Sequence, residues 1–123
     1  FLTDVLIESD FEYNRFDAEN KNYIVEIKHR ETFYEEIIIE FDKFSYNYLY
    51  SIESNKKFIY AVNIKDYIYL FNINDLNDSK HNFKWGWRDM PKQTEFEKNY
   101  KIKKLVGYIP LKSAKRVIST KLP

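Results

Sequence analysis

The stretch Asn22–Arg30, NYIVEIKHR, reads as a β-strand whose charged residues fall at a regular interval. A strand turns its side chains to opposite faces at each residue, so Val25 and Ile27 point one way and Glu26 and Lys28 the other. Arg30 continues the Glu26/Lys28 face. Two readings fit an acid and an amine two residues apart. One is the solvated face of a sheet, with ion partners on a neighbouring strand. The other is a carboxylate and an ammonium held side by side over a metal ion.

The residues before this strand supply a partner for it. FEYNRFD (11–17) alternates imperfectly and reads as a strand ending near Asp17, and AENKN carries turn residues, so the two strands form a hairpin. Further upstream, FLTDVLIES places Leu2, Val5, Leu6 and Ser9 on one helical face and Asp4 and Glu8 together on the other, as at the end of a helix.

Downstream, EEIIIEFDKFSYNYLYSIES has no Gly or Pro, and Ile37, Phe41, Phe44, Tyr48 and Ile52 recur at helical spacing. The Ile run also suits a buried strand, but the length of the segment favours a helix. FIYAVNI and YIYLFNI follow as two strands joined by Lys65-Asp66, a hairpin connection without the usual Gly. NDLNDSKHN reads as a polar loop, FKWGWRDMP as a strand stopped by Pro91, YKIKKLVGYIP as a strand ending at Pro110, and LKSAKRVI as a final helical turn. The expected class is α/β (α+β), a central mixed β-sheet flanked by helices, with a C-terminal β extension.

Composition sets the bounds. The chain's 123 residues, 44% hydrophobic and 32% charged, suit one globular domain spanning 1–123, with a core over 1–72 and a basic extension over 81–123. The absence of Cys excludes disulfides and thiolate metal sites and favours a cytoplasmic setting. His29 and His81 are too few for a zinc motif, and no apolar run is long enough to span a membrane. Charge is unevenly spread. Residues 1–42 hold 12 acidic against four basic side chains, whereas 98–123 hold eight basic and no acidic ones. An anionic partner at the basic end and a cation at the acidic end would explain this, as would mutual neutralisation of the two ends in the fold.

Asp17, eight intervening residues, then Glu26-Ile27-Lys28 and a following helix form a pattern that resembles the PD-(D/E)xK nuclease superfamily. The resemblance covers roughly residues 1–72, and Phe16 stands where the motif's name has proline. It implies a restriction-endonuclease-like core and a Mg²⁺- or Mn²⁺-dependent phosphodiester hydrolase acting on DNA, of a kind suited to a phage or mobile element. Asp17 and Glu26, with the Ile27 backbone carbonyl, would be metal ligands. Mg²⁺ takes one or two carboxylates and keeps several waters. Lys28 would orient or deprotonate the attacking water. An acid on the preceding helix and a basic residue on the following one would be accessory, here Glu8 and Lys43.

Arg30, Arg88, Lys101, Lys103 and Lys104 are candidates for binding nucleic acid. Trp85 and Trp87 share a strand face beside Arg88; interleaved aromatics and cations suit base stacking, but a Trp pair more commonly belongs to a core. A homodimer is compatible with the sequence, although no coiled coil or symmetric apolar patch is legible. A non-catalytic nucleic-acid- or protein-binding domain on a nuclease-like scaffold is the alternative.

Overall fold

In the computed structural model, which describes residues 7–8, 16–78, 84–91 and 101–121, NYIVEIKHR forms strand β3 (Tyr23–Arg30). Of Ile7, Glu8, Pro91 and Lys101 the backbone alone is described. On one side β3 pairs antiparallel with the short β2 (Ala18–Glu19), and β2 with β1 (Ile7–Glu8). On the other it pairs parallel with β5 (Lys57–Ile64), in register from Tyr23↔Lys57 to Arg30↔Ile64. β6 (Tyr67–Asn72) and β9 (Arg116–Ser119) complete a six-stranded mixed sheet of order β1-β2-β3-β5-β6-β9. This is the mixed sheet expected from the sequence.

A parallel pair requires a crossover. Here β4 (Glu36–Glu40) and α1 (Phe41–Glu53) provide it. β4 does not join the large sheet. It pairs with β8 (Lys101–Pro110), which pairs with β7 (Lys84–Pro91), giving a second, three-stranded antiparallel sheet of order β4-β8-β7. The basic C-terminal segment is therefore the middle strand of that sheet, and β9 edges the first. Lys104–Glu40 at 2.9 Å, Lys121–Asp66 at 3.3 Å and Lys115–Asp75 at 3.5 Å tie the basic end to acids earlier in the chain.

The principal core lies between one face of the large sheet and the layer formed by α1, α2 (Ile73–Asp78) and the inner residues of the second sheet. Ile24, Phe58 and Val62 meet Ile37, Ile39 and Ile109 there, each at most 2% exposed. The other face carries a smaller cluster of Val25, Ile59, Ala61 and Leu70.

Several expectations need correction. Helical periodicity predicted one helix through EEIIIEFDKF, but Glu36–Glu40 is a strand and the helix begins at Phe41. Three consecutive β-branched residues favour the strand once β8 offers a ladder, and Ile37 and Ile39 then both face the core. Ile7–Glu8 is a strand rather than the end of a helix; Asp4 and residues 11–15 of the strand expected over 11–17 lie outside the described residues. Phe16 and Asp17 form a bend, and Ala18–Glu19, read as turn, is strand β2. Ile73, read as the end of a strand, and residues 74–78, read as loop, form a helix, because the Asn72 side-chain oxygen caps it by accepting from Asp75 N at 3.1 Å. Leu111–Ser113 is the expected turn, but Arg116–Ser119 continues as strand. The Trp pair is not core. Trp85 packs edge-on against Phe41 and Phe44 of α1 at 5.5 and 5.0 Å, while Trp87, further along edge strand β7, is 70% exposed. No helix among the described residues is long and apolar enough to cross a membrane.

Glu19 anchors α1 to the β2–β3 turn, accepting from Lys56 Nζ at 2.7 Å and Tyr50 Oη at 3.0 Å. The Lys56 hydrogen bond holds the Glu19 carboxyl below its ordinary range. A depressed carboxylate stabilises the fold above its unfolded-state pKa and loses that contribution as pH falls through the folded one. Glu19→Gln is therefore expected to cost about 1 kcal/mol at neutral pH. Urea titrations of the two proteins should converge in acid, where the wild-type carboxyl is also neutral.

Candidate active site

Asp17 is placed by a buried neighbour. Phe16, 4% exposed, packs against Tyr50 with ring centroids 5.0 Å apart, so Phe at this position anchors the chain through the core. Asp17 N then donates to Val25 O at 2.8 Å, and Asp17 Oδ2 accepts from Ile27 N at 2.6 Å. The two-residue β2 reaches only Ile24 and Val25. The Asp17 carboxylate thus continues the ladder where the strand stops. Because N–H and C=O of one strand residue point to the same edge, the Ile27 carbonyl is directed to this edge as well.

Glu26, Lys28 and Arg30 do share a face, but it is the face of the principal core. Glu26 lies opposite Tyr60 in the parallel ladder and is 6% exposed. It is Ile27 on the reverse face that is 46% exposed. The amine beside Glu26 is Lys43, from the first turn of α1, with Nζ 3.1 Å from Oε1. Burial nevertheless dominates and pushes the Glu26 carboxyl above its ordinary range, with the nearby Asp17 charge adding to the rise. Burial also lowers Lys28, helped by the positive charges of Lys43 and Arg30. Glu40, at the β4–α1 junction, resists its own burial through the Lys104 hydrogen bond and the charges of Lys43 and Lys28, and stays below the usual range. The Tyr60 hydroxyl donates to Ile38 O at 3.1 Å, and burial pushes its pKa up.

The structure thus places Asp17 and Lys43 beside Glu26, Ile27 and Lys28 in the middle of β3, while the Glu8 side chain lies outside the described residues. Comparison with protein-family models, curated proteins and solved structures finds no match for this chain.

Of the basic residues expected to meet nucleic acid, Arg30 and Arg88 line a common cleft. Lys104 lies opposite Arg88 in the β7–β8 ladder but is engaged by Glu40. Lys103 is exposed on the other face, near Trp87, and the Lys101 side chain lies outside the described residues. Glu40 and Tyr60 were missed in the sequence. Glu40 sits at a strand–helix junction that the Ile run concealed, and Tyr60 reaches the site only through a parallel pairing with no local signature.

The donor set suits a hard divalent cation in part. Two carboxylates and a backbone carbonyl are what Mg²⁺ takes from protein, with waters for the rest. Asp17 keeps Oδ1 and Glu26 keeps Oε2 outside the bonds described. Among the described residues no three acidic or His side chains converge as a metal site, so Asp17 and Glu26 would hold the ion with one carbonyl and water.

Proposed function

We propose that this chain is a Mg²⁺- or Mn²⁺-dependent nuclease that hydrolyses phosphodiester bonds in DNA, as its PD-(D/E)xK-like motif implies. The supporting observation is the Asp17 carboxylate held on Ile27 N, close enough for its charge to raise the Glu26 carboxyl, with Lys28 on the Glu26 face and its pKa lowered by burial. When bound, the metal would supply charge neutralisation at the phosphate and a lowered pKa for a coordinated water. Asp17, Glu26 and the Ile27 carbonyl would hold it. Lys28 Nζ orients the attacking water, and its lowered pKa enlarges the share of neutral amine able to take the water's proton. Lys43 holds Glu26 in a single orientation and Arg30 supplies positive charge two residues beyond Lys28. Hydrolysis forms a bond from the water oxygen to phosphorus and breaks the bond from phosphorus to the leaving oxygen, which takes a proton from solvent, while charge accumulating on the phosphate falls among these cations.

The full chain, incubated with Mg²⁺ or Mn²⁺ and end-labelled single- and double-stranded DNA, is expected to cleave at least one of them, and EDTA to stop it. Lys28→Ala should slow cleavage by about 10²-fold or more. No metal-dependent cleavage by the wild type, or equal rates for Lys28→Ala, would remove this reading.

A specific observation favours a second reading. Asp17 and Glu26 each already have a partner within the protein, Ile27 N and Lys43 Nζ, as in a binding domain that retains the scaffold alone. Calorimetric titration with Mn²⁺ separates the two: the nuclease binds it through Asp17 and Glu26, and the scaffold does not.

A further inference from the structure

Arg30 and Arg88 are 58 residues apart in sequence yet line one cleft of about 590 Å³ bordered by β3, the β3–β4 connection and the second sheet. That volume is within the usual range for small-ligand sites, roughly 300–1,000 Å³. Lys28 lies two positions before Arg30 on the same strand face, so the cleft opens beside the candidate active site. Among the described residues none of Lys28, Arg30 and Arg88 forms an ion pair.

Two aromatic rings share this cleft. Tyr34, in the β3–β4 connection, is 57% exposed. Tyr108 of β8 lies against Gly86 of β7, where an added Cβ would sit 3.3 Å from Tyr108 Cε2. Glycine in KWGWR thus makes room for the Tyr108 ring to lie over the strand. Cations and flat aromatic surfaces together are the chemistry of single-strand binding: guanidinium groups take phosphates and rings take unstacked bases. The cleft also holds Glu35 and Glu36, both exposed. Carboxylates accept hydrogen bonds from base amino groups, but they repel the paired backbones that a duplex would bring.

We infer that the Arg30–Arg88–Tyr34–Tyr108 cleft binds single-stranded nucleic acid, so that the substrate is presented to the Asp17–Glu26 site as a single strand. The inference rests on the proposed nuclease reading for its function, while binding can be measured without cleavage.

The test is fluorescence anisotropy of the full chain in EDTA with fluorescein-labelled dT15, U15 and a 15-base-pair duplex. At least one single strand is expected to bind tenfold or more tightly than the duplex; which one does so separates DNA from RNA. Arg30→Ala with Arg88→Ala should weaken that binding at least tenfold and reduce the slope of log affinity against log salt by about 1.4, roughly 0.7 for each lost phosphate contact. Among the described residues neither arginine has an ion pair to lose, so melting temperature should hold. Tyr34→Ala, at an exposed side chain, gives an independent variant with an expected loss of about tenfold. Equal affinity for duplex, or unchanged single-strand binding in both variants, overturns the inference. If wild type cleaves with metal while these variants bind normally, the cleft falls and the nuclease stands. Binding that obeys the cleft without any cleavage has the opposite meaning.

Discussion

Glu26→Gln is expected to reduce metal-dependent cleavage by at least about 10²-fold and, at the same time, to stabilise the fold. Burial holds the Glu26 carboxyl above its ordinary range in spite of the Lys43 ammonium 3.1 Å away. The folded state therefore binds this proton more tightly than the unfolded chain does. Such a group contributes stability below its unfolded-state pKa and loses it as pH rises through the folded one. At neutral pH the ionised carboxylate works against folding, and a neutral Gln, which still offers Lys43 an oxygen, relieves about 1 kcal/mol. Calorimetry should show Tm rising by about 4 °C at neutral pH and the gain vanishing in acid. A Lys43–Glu26 pair kept for structure has the opposite outcome, a fall in Tm with cleavage unaffected.

Asn74→Ala should produce the largest loss of stability, about 3 kcal/mol. Asn74 is 2% exposed; its Oδ1 accepts from Phe58 N at 2.6 Å and its Nδ2 donates to Ser51 Oγ at 2.9 Å. One amide thus joins α2, the start of β5 and the last turns of α1. Removing it strands a backbone donor at Phe58, itself 0% exposed. Tm should fall by roughly 10 °C, with the denaturant slope unchanged. A loss under about 1 kcal/mol would show that water replaces the amide, at odds with this burial.

Local chemistry made much of this molecule legible in the sequence. Alternation marked β3, Lys65-Asp66 marked the β5–β6 hairpin, and Pro91 and Pro110 end β7 and β8 as expected. The placing of Asp17 near Glu26 also followed from chain length across a short turn. Lys43 as the basic residue joining from the following helix was expected too, and its contact with Glu26 is observed.

Tertiary structure decided the rest. Periodicity could not assign Ile37–Ile39 to a strand, because the ladder that holds them comes from β8, about 70 residues later. Nor could alternation alone say which face of β3 is buried; it distinguishes two faces without naming either. Only α1 and the second sheet, laid over the Glu26 side, make that carboxyl a buried one with a raised pKa. The sequence by itself determined which residues can meet along one strand and across one turn. Which charges are desolvated, and which cations from distant strands converge on one cleft, depended on long-range packing.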